Sequence, residues 1–206
     1  MDIFFFLIIL FFSIIVHEYA HAQIAYSLGD PTAKYAGRLT LNPIPHIDII
    51  GTIFIPMILV FFHSPILFGW AKPVPINPYN FSDQKYGQFK VATAGPASNL
   101  LIAFIFGSII RFFPDSEILL PLFPLFGFIV LINILLALFN SLPIPPLDGS
   151  HILFTFLPNS MNNVKMFLSQ YGFFLLLGFI IFGGFRLLSP IILMIFYLFT
   201  GGQMPI

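Results

Sequence analysis

The chain has 206 residues, 58% of them hydrophobic and 8% charged, and its formal net charge is zero. This composition excludes a soluble globular domain, because a domain of this length cannot bury so much apolar surface. The zero net charge argues against a nucleic-acid partner, and the lack of cysteine excludes disulfides and thiolate-bound metals. We therefore expect an all-α polytopic membrane protein, in which residues 1–206 form a single integral-membrane domain with about five transmembrane helices.

The first predicted helix, from about Ile3 to Leu28, carries a His-Glu-x-x-His motif in an apolar setting. His17 and His21 are four residues apart, so they share one helix face and are able to bind one ion. Glu18 is rotated by about a quarter turn and reaches the position of an attacking water, as in zinc hydrolases. Such a pair also occurs by chance or bonds to a neighbouring helix, but unpaired polar groups are costly in a membrane. The motif therefore predicts a zinc site that still needs a third protein ligand.

The region between residues 30 and 90 is the most irregular part of the sequence. Ala36–Leu41 is strand-like, and closely spaced prolines predict extended backbone over Trp70–Pro78. Between them, Ile50–Phe68 is apolar but is interrupted by Pro56 and Pro65. We expect short strand-like pieces here, together with a re-entrant or hairpin segment.

Four further apolar stretches are predicted as helices: Val91–Phe113, Leu119–Leu142, Met166–Phe185 and Pro190–Thr200. The prolines that follow the second of these exclude a helix over Pro143–Gly149. Irregular backbone at membrane depth is tolerated only where it lines an enclosed or wet cavity, so Asp148 is a candidate third ligand. An ordinary loop that ends in an Asp-Gly turn is equally compatible with the spacing.

Three motifs, in this order, resemble those of the site-2 protease family of intramembrane zinc metalloproteases: His17–His21, Ala94–Asn99 and Asn140–Gly149. The resemblance covers most of the chain, from Val16 to about Leu153. The chain is similar to short members of that family, and its length leads us to expect neither a PDZ nor a nucleotide-sensing domain.

The resemblance implies a role for five residues. His17, His21 and Asp148 correspond to the ligands of one zinc ion per chain. Glu18 corresponds to the catalytic base, and Asn140 to a polar group near the substrate carbonyl. The implied partners are a membrane-embedded protein or peptide substrate and the lipid bilayer.

Two structural or functional roles are compatible with each of four other polar residues. His46 and Asp48 either line a path for substrate or water or form an interfacial loop pair. His151 either orients Asp148 or lies on the first turn of the next helix. Asn99 either orients a loop or satisfies backbone donors.

The order of the helices constrains the topology. Asp148 meets the histidines only if its preceding helix ends on the side where the first helix ends. This requires that Ile50–Phe68 does not cross, so we expect a re-entrant hairpin bent near Pro56. Six of the eight basic residues then fall on that side: Lys34, Arg38, Lys72, Lys85, Lys90 and Lys165. The positive-inside bias makes it the cytoplasmic side of the cell membrane.

These observations predict an intramembrane zinc metalloprotease that cleaves membrane-embedded substrates near the cytoplasmic face. The strand-like Gly37–Leu41 and Lys72–Asn77 segments would hold an unwound substrate by edge pairing. A membrane metal carrier using the same His and Asp residues is the alternative, and an inert substrate-binding scaffold is another. A protease with a glutamate third ligand is disfavoured, because Glu117 is assigned to the opposite side of the membrane.

Overall fold

The computed structural model describes residues 3–62 and 69–202. All regular structure in these residues is helical, and no strand occurs among them. The α-helices are α1 (Ile3–Ser27), α2 (Thr32–Tyr35), α3 (Ile55–Phe61), α4 (Gly87–Phe112), α5 (Phe123–Asn140), α6 (Asp148–Phe156), α7 (Asn162–Ile181) and α8 (Phe185–Thr200). The expectation of an all-α fold is confirmed.

Membrane-length helices account for much of the described chain. Four stretches are long and apolar enough to cross a bilayer: Phe5–Ser27, Gly87–Phe112, Leu120–Asn140 and Asn162–Ile181. Helix α8 is apolar but has 16 residues, and at about 1.5 Å per residue it is shorter than a typical bilayer core. The protein is therefore a multi-pass membrane protein, with a shorter apolar helix where a fifth crossing was expected.

The chain divides after Gly87 into two compact units. In the first unit, α1 is followed by the short α2, and a π-helical turn over Ile49–Phe54 continues directly into α3. Pro56 lies in the first turn of α3, where its fixed φ is compatible with the helix. The second unit contains α4 to α8, apart from the first residue of α4. A single domain over residues 1–206 stays a prediction.

The two ends of the predicted hairpin segment meet in the first unit. The Trp70 N–H donates to the Gly51 carbonyl at 3.1 Å. The Thr52 hydroxyl donates to the Trp70 carbonyl at 2.8 Å. The segment thus returns to the point where it began, as expected of a hairpin. Residues 63–68 of this segment, with His63 and Pro65, lie outside the described residues.

The segment expected to be strand-like closes a helix instead. At the end of α2, the Gly37 N–H donates to Lys34 O at 3.0 Å and the Arg38 N–H to Ala33 O at 2.8 Å. Gly37 has a left-handed φ of 67°, so this is a Schellman C-cap. The Ala-Gly dipeptide that begins Ala36–Leu41 is a helix stop, and within the described residues no strand lies beside it to form a ladder.

The second unit has an apolar core between α4, α5 and α8. Its buried members are Ala103, Ile110, Phe123, Val130, Ile134, Leu188, Ile192 and Phe196. One polar pair lies inside these helices. The Asn99 side-chain amide donates to Asn133 Oδ1 at 2.8 Å, and both residues are fully buried. A hydrogen bond between α4 and α5 is favoured at membrane depth, because neither amide has water to bond with there.

Candidate metal centre

The histidine pair lies on the inward face of α1. The Nε2 atoms of His17 and His21 are 3.0 Å apart, and each residue is 6% exposed. The imidazole planes are nearly perpendicular, at 82°. Two ligands of one tetrahedral zinc ion, each about 2.0–2.1 Å from the metal, lie about 3.3 Å apart. The pair therefore fits two ligands of one zinc ion.

Glu18 is half-buried on the same turn of α1. Its Oε2 accepts a hydrogen bond from the Val74 main-chain N–H at 2.8 Å. This bond joins the glutamate to the extended segment between Trp70 and Pro78, 56 residues away in the sequence. This hydrogen bond fixes one oxygen of the carboxylate on the turn of α1 that follows His17.

The extended segment is itself anchored two residues before Val74. The Lys72 N–H donates to the His46 carbonyl at 3.0 Å. The Lys72 carbonyl accepts from the Arg38 guanidinium at 3.5 Å, and the same guanidinium nitrogen donates to Pro45 O. Arg38 is 5% exposed, so a buried cation links the backbone of the extended segment to the backbone at Pro45.

His46 is fully buried. Its Nε2 lies 2.9 Å from the Thr40 carbonyl, which only accepts, so Nε2 carries the proton. Among the described residues, Nδ1 has no hydrogen-bond partner. Asp48 lies at the start of the π-helical turn, where its carboxylate accepts from the Gly51 N–H at 2.7 Å. Both residues of this predicted pair therefore stabilise the loop and the base of the hairpin.

Asp30 is a polar anchor that the sequence did not reveal. Its buried carboxylate accepts hydrogen bonds from Asn77 N at 2.7 Å and from Asn80 Nδ2 at 2.8 Å. The Thr32 N–H at 3.1 Å and the Thr32 hydroxyl complete the set. Burial alone would raise the pKa of Asp30, but these hydrogen bonds hold that pKa below its usual value. The carboxylate ties the end of α1 to the far end of the extended segment.

An apolar cavity of about 250 Å³ lies beside α1 in the first unit. Its lining includes Ile14, Pro56 and Trp70. Ile14 precedes His17 by three residues, which is just under one helical turn. The face of α1 that leads to the histidines is therefore bordered by apolar space.

Asp148 lies in the second unit, as the first residue of α6. The next residue, Gly149, lies very close to the backbone of Ser141 and Leu142, just before the proline-rich segment. A Cβ on Gly149 would lie 2.2 Å from Ser141 O and 2.4 Å from Leu142 O. Similarly, a Cβ on Gly172 in α7 would lie 2.6 Å from Pro145 O. Close backbone contacts thus fix the loop before Asp148. Helix α6 begins at Asp148, so the prediction of non-helical backbone over Pro143–Gly149 is wrong for Asp148 and Gly149, and the alternative of an Asp-Gly turn is wrong too.

Asn140 is the last residue of α5. Its Nδ2 donates to the Leu136 carbonyl on the same helix at 3.0 Å. The amide oxygen is not used in this bond. In the same unit, His151 Nδ1 lies 2.8 Å from Gln88 Nε2, which links α6 to the start of α4. Gln88 therefore fixes the His151 ring, and neither predicted role of His151 involves this residue.

Comparison with known proteins shows where the chain has relatives. The model of peptidase family M50 matches residues 119–179, a segment that includes Asn140 and Asp148. The Bacillus subtilis protein YwhC, whose name describes it as a zinc metalloprotease, is 41% identical over 176 residues. That alignment covers 82% of this chain and 77% of YwhC.

More distant relatives carry similar names. Rip2 of Mycolicibacterium smegmatis, also named as a zinc metalloprotease, is 28% identical over 66% of this chain and 51% of its own length. The chain thus spans about half of Rip2. A Methanocaldococcus jannaschii protein with such a name is 44% identical over 64 residues, or 31% of this chain and 32% of its own length. No solved structure matches the fold.

Proposed function

The chain belongs to peptidase family M50 and is a zinc metalloprotease, and from this premise we propose that it cleaves membrane-embedded protein substrates inside the bilayer. The observation that carries the proposal is the pair of imidazole nitrogens 3.0 Å apart within a helix of membrane-spanning length. Histidines and a glutamate in mid-helix are costly in lipid unless they serve a site. The apolar cavity beside α1 supports an apolar substrate.

The proposed ligands of one zinc ion per chain are His17, His21 and Asp148. The buried histidine pair supports two of them. The rigid backbone around Gly149 supports the third, because a ligand must be presented in one fixed orientation. When bound, zinc polarises the scissile carbonyl and activates water for attack.

Glu18 is the proposed base. Its carboxylate takes a proton from the attacking water and later delivers it to the leaving amine. Its place one residue after His17, and its fixation by Val74, support this role. Asn140 is proposed to donate a side-chain N–H to the substrate carbonyl oxygen as negative charge develops there.

We place the protein in the cell membrane with the site towards the cytoplasmic face, in a single domain. The excess of Lys and Arg in the segments next to that face supports this orientation. The return of the hairpin segment to its starting point also supports this orientation. The order of the helices brings Asp148 to the side of the histidines only if that segment does not cross the membrane.

The proposal is tested with purified protein in lipid nanodiscs, a single-span peptide as substrate, and mass spectrometry of the products. Wild type should cut within the apolar span, and the Glu18→Gln variant should lose about 10²–10⁴-fold in rate, as expected when a positioned proton-transfer group is removed. If instead both proteins move zinc across liposomes and neither cleaves, the metal-carrier alternative is right. If Glu18→Gln cleaves as fast as wild type, the proposed mechanism is wrong.

A further inference from the structure

Val74 has a main-chain N–H in a segment that is short of donors. Its neighbours Pro73 and Pro75 carry no backbone N–H, so Val74 provides the only amide proton over these three residues. That proton is donated to Glu18 Oε2 at 2.8 Å. Val74 is 8% exposed, so little water competes for the bond.

The backbone around this donor has little freedom. A residue that precedes proline is restricted to extended conformations, and this holds for both Lys72 and Val74. The Lys72 amide and carbonyl are fixed in turn by His46 O and by the Arg38 guanidinium. The direction of the Val74 N–H is therefore set before any substrate arrives.

The buried groups His46 and Arg38 have no place in the proposed chemistry, since neither is a proposed ligand, base or carbonyl donor. The Arg38 guanidinium donates to the carbonyls of Pro45 and Lys72. The His46 main-chain carbonyl accepts from the Lys72 N–H, so both residues fix the backbone two residues before Val74. Burying a guanidinium has a desolvation cost, and the hydrogen bonds of the Arg38 guanidinium offset it while they fix the backbone that leads to the Val74 donor.

We propose that Val74 is a positioning residue for the protease reaction, whose isolated main-chain N–H holds the Glu18 carboxylate in the orientation that receives the proton from water. Arg38 and His46 act through it by fixing Lys72. The inference rests on the proposed function, because it assigns Glu18 as the base. The positioning role belongs to the main-chain N–H of Val74 and not to its side chain.

The test removes the N–H donor of a single main-chain amide and leaves every side chain in place. Cell-free translation with an α-hydroxy acid at position 74 replaces the Val74 amide N–H by an ester oxygen. The matched control is the same ester at Ile76, two residues along the same segment. The Ile76 N–H donates no hydrogen bond to the part of the chain that is described.

The kinetic result expected is a fall in kcat of about 10- to 100-fold for the ester at Val74, the usual effect of losing one hydrogen bond to a charged group. For the ester at Val74, KM and zinc content should stay at the wild-type level. The ester at Ile76 should keep the wild-type kcat and zinc content, and only its KM should respond if Lys72–Asn77 pairs with the substrate. A loss of zinc, or an equal loss of kcat for both esters, would mean that the segment supports the fold and does not position Glu18.

A second readout does not depend on activity. Glu18 and Glu117 are the only glutamates in the sequence, and Glu117 is exposed. In a Glu117→Gln background with glutamate labelled by carbon-13 at the side-chain carboxylate, infrared spectra report Glu18 alone. In metal-free protein, the labelled carboxylate band should shift with the ester at Val74 and stay in place with the ester at Ile76.

The outcomes separate this inference from the proposed function. If wild type cleaves, Glu18→Gln does not, and the Val74 ester cleaves at the wild-type rate with an unchanged band, only the positioning role is wrong. If wild type itself does not cleave the membrane peptide, the proposed function fails. In that case the infrared band still decides whether Val74 holds the carboxylate.

Discussion

Gly149 lies so close to the Leu142 carbonyl oxygen that a Cβ on this residue would come within 2.4 Å of it. No side chain fits there without moving the backbone next to Asp148. We therefore expect Gly149→Ala to displace the start of α6 and to reduce both bound zinc and cleavage at least tenfold. The matched control is Gly178→Ala in α7, where a Cβ would meet only Phe182 Cδ2 at 4.0 Å. Elemental analysis and a cleavage assay on the same preparations measure the effect, and normal zinc in Gly149→Ala would contradict it.

Removal of a ligand should differ from removal of the base. His17→Ala and Asp148→Ala should lose zinc and activity together, because two remaining ligands do not hold the ion tightly. Glu18→Gln should keep close to one zinc per chain. The metal is counted by elemental analysis after dialysis against a weak chelator. Full zinc occupancy in Asp148→Ala would remove this residue from the ligand set.

The buried amide pair should contribute to stability as a unit. Asn99→Ala leaves the Asn133 oxygen without its donor on α4, at a cost of about 1–3 kcal/mol. In Asn99→Ala/Asn133→Ala both partners are gone, so the double variant should lose less than the sum of the two single variants. Thermal or denaturant unfolding in detergent measures all four proteins. Additive losses would mean that the two amides do not interact energetically.

The hairpin predicts which loops share a side of the membrane. Cysteines introduced at Asn42 and Lys72, both exposed, should react with a membrane-impermeant reagent from the same side. A cysteine at Asp115, beyond the far end of α4, should react from the other side. The chain has no natural cysteine, so no background substitution is needed. Labelling of Asn42 and Lys72 from opposite sides would mean that the segment between them crosses.

Asp30 should make the stability depend on pH in the acid range. Its folded-state pKa is lowered below 3.8 by hydrogen bonds, so its stabilising effect is complete above the unfolded pKa. The effect is lost as the pH falls through the folded pKa. Asp30→Asn should therefore lower stability at pH 7 and flatten the decline below about pH 4. Unfolding midpoints measured across that range test this.

The control for the pH experiment is Asp115→Asn, an exposed carboxylate in the second unit. Its profile should follow wild type at every pH. If the stability of Asp30→Asn falls at low pH as steeply as that of wild type, other carboxylates cause the decline.

The local features of the site can be predicted from neighbouring residues alone. His17 and His21 converge because a helix places residues four apart on one face, and composition alone made that helix a membrane span. The hairpin followed from the prolines that interrupt Ile50–Phe68 and from the order of the helices, which requires that this segment does not cross the membrane. A helical spacing, or a proline that interrupts a helix, can be recognised in a short stretch of sequence. Predicting such features therefore needs no tertiary information.

One local signal was misread. Ala36–Leu41 has strand-like composition, but Gly37 in a left-handed conformation ends α2, and the bonds of the Schellman cap take the place of a ladder. Strand propensity depends on a neighbouring strand, which a short sequence window does not contain.

The contact that holds Glu18 is visible only in the folded protein. The donor is the backbone of Val74, and a main-chain N–H has no residue-specific signature in a sequence. Its partner is 56 residues away, beyond the reach of any helical or strand period. The burial of Asp30 also depends on distant residues, because hydrogen bonds from Asn77 and Asn80, together with those from the nearby Thr32, offset the cost of removing its carboxylate from water.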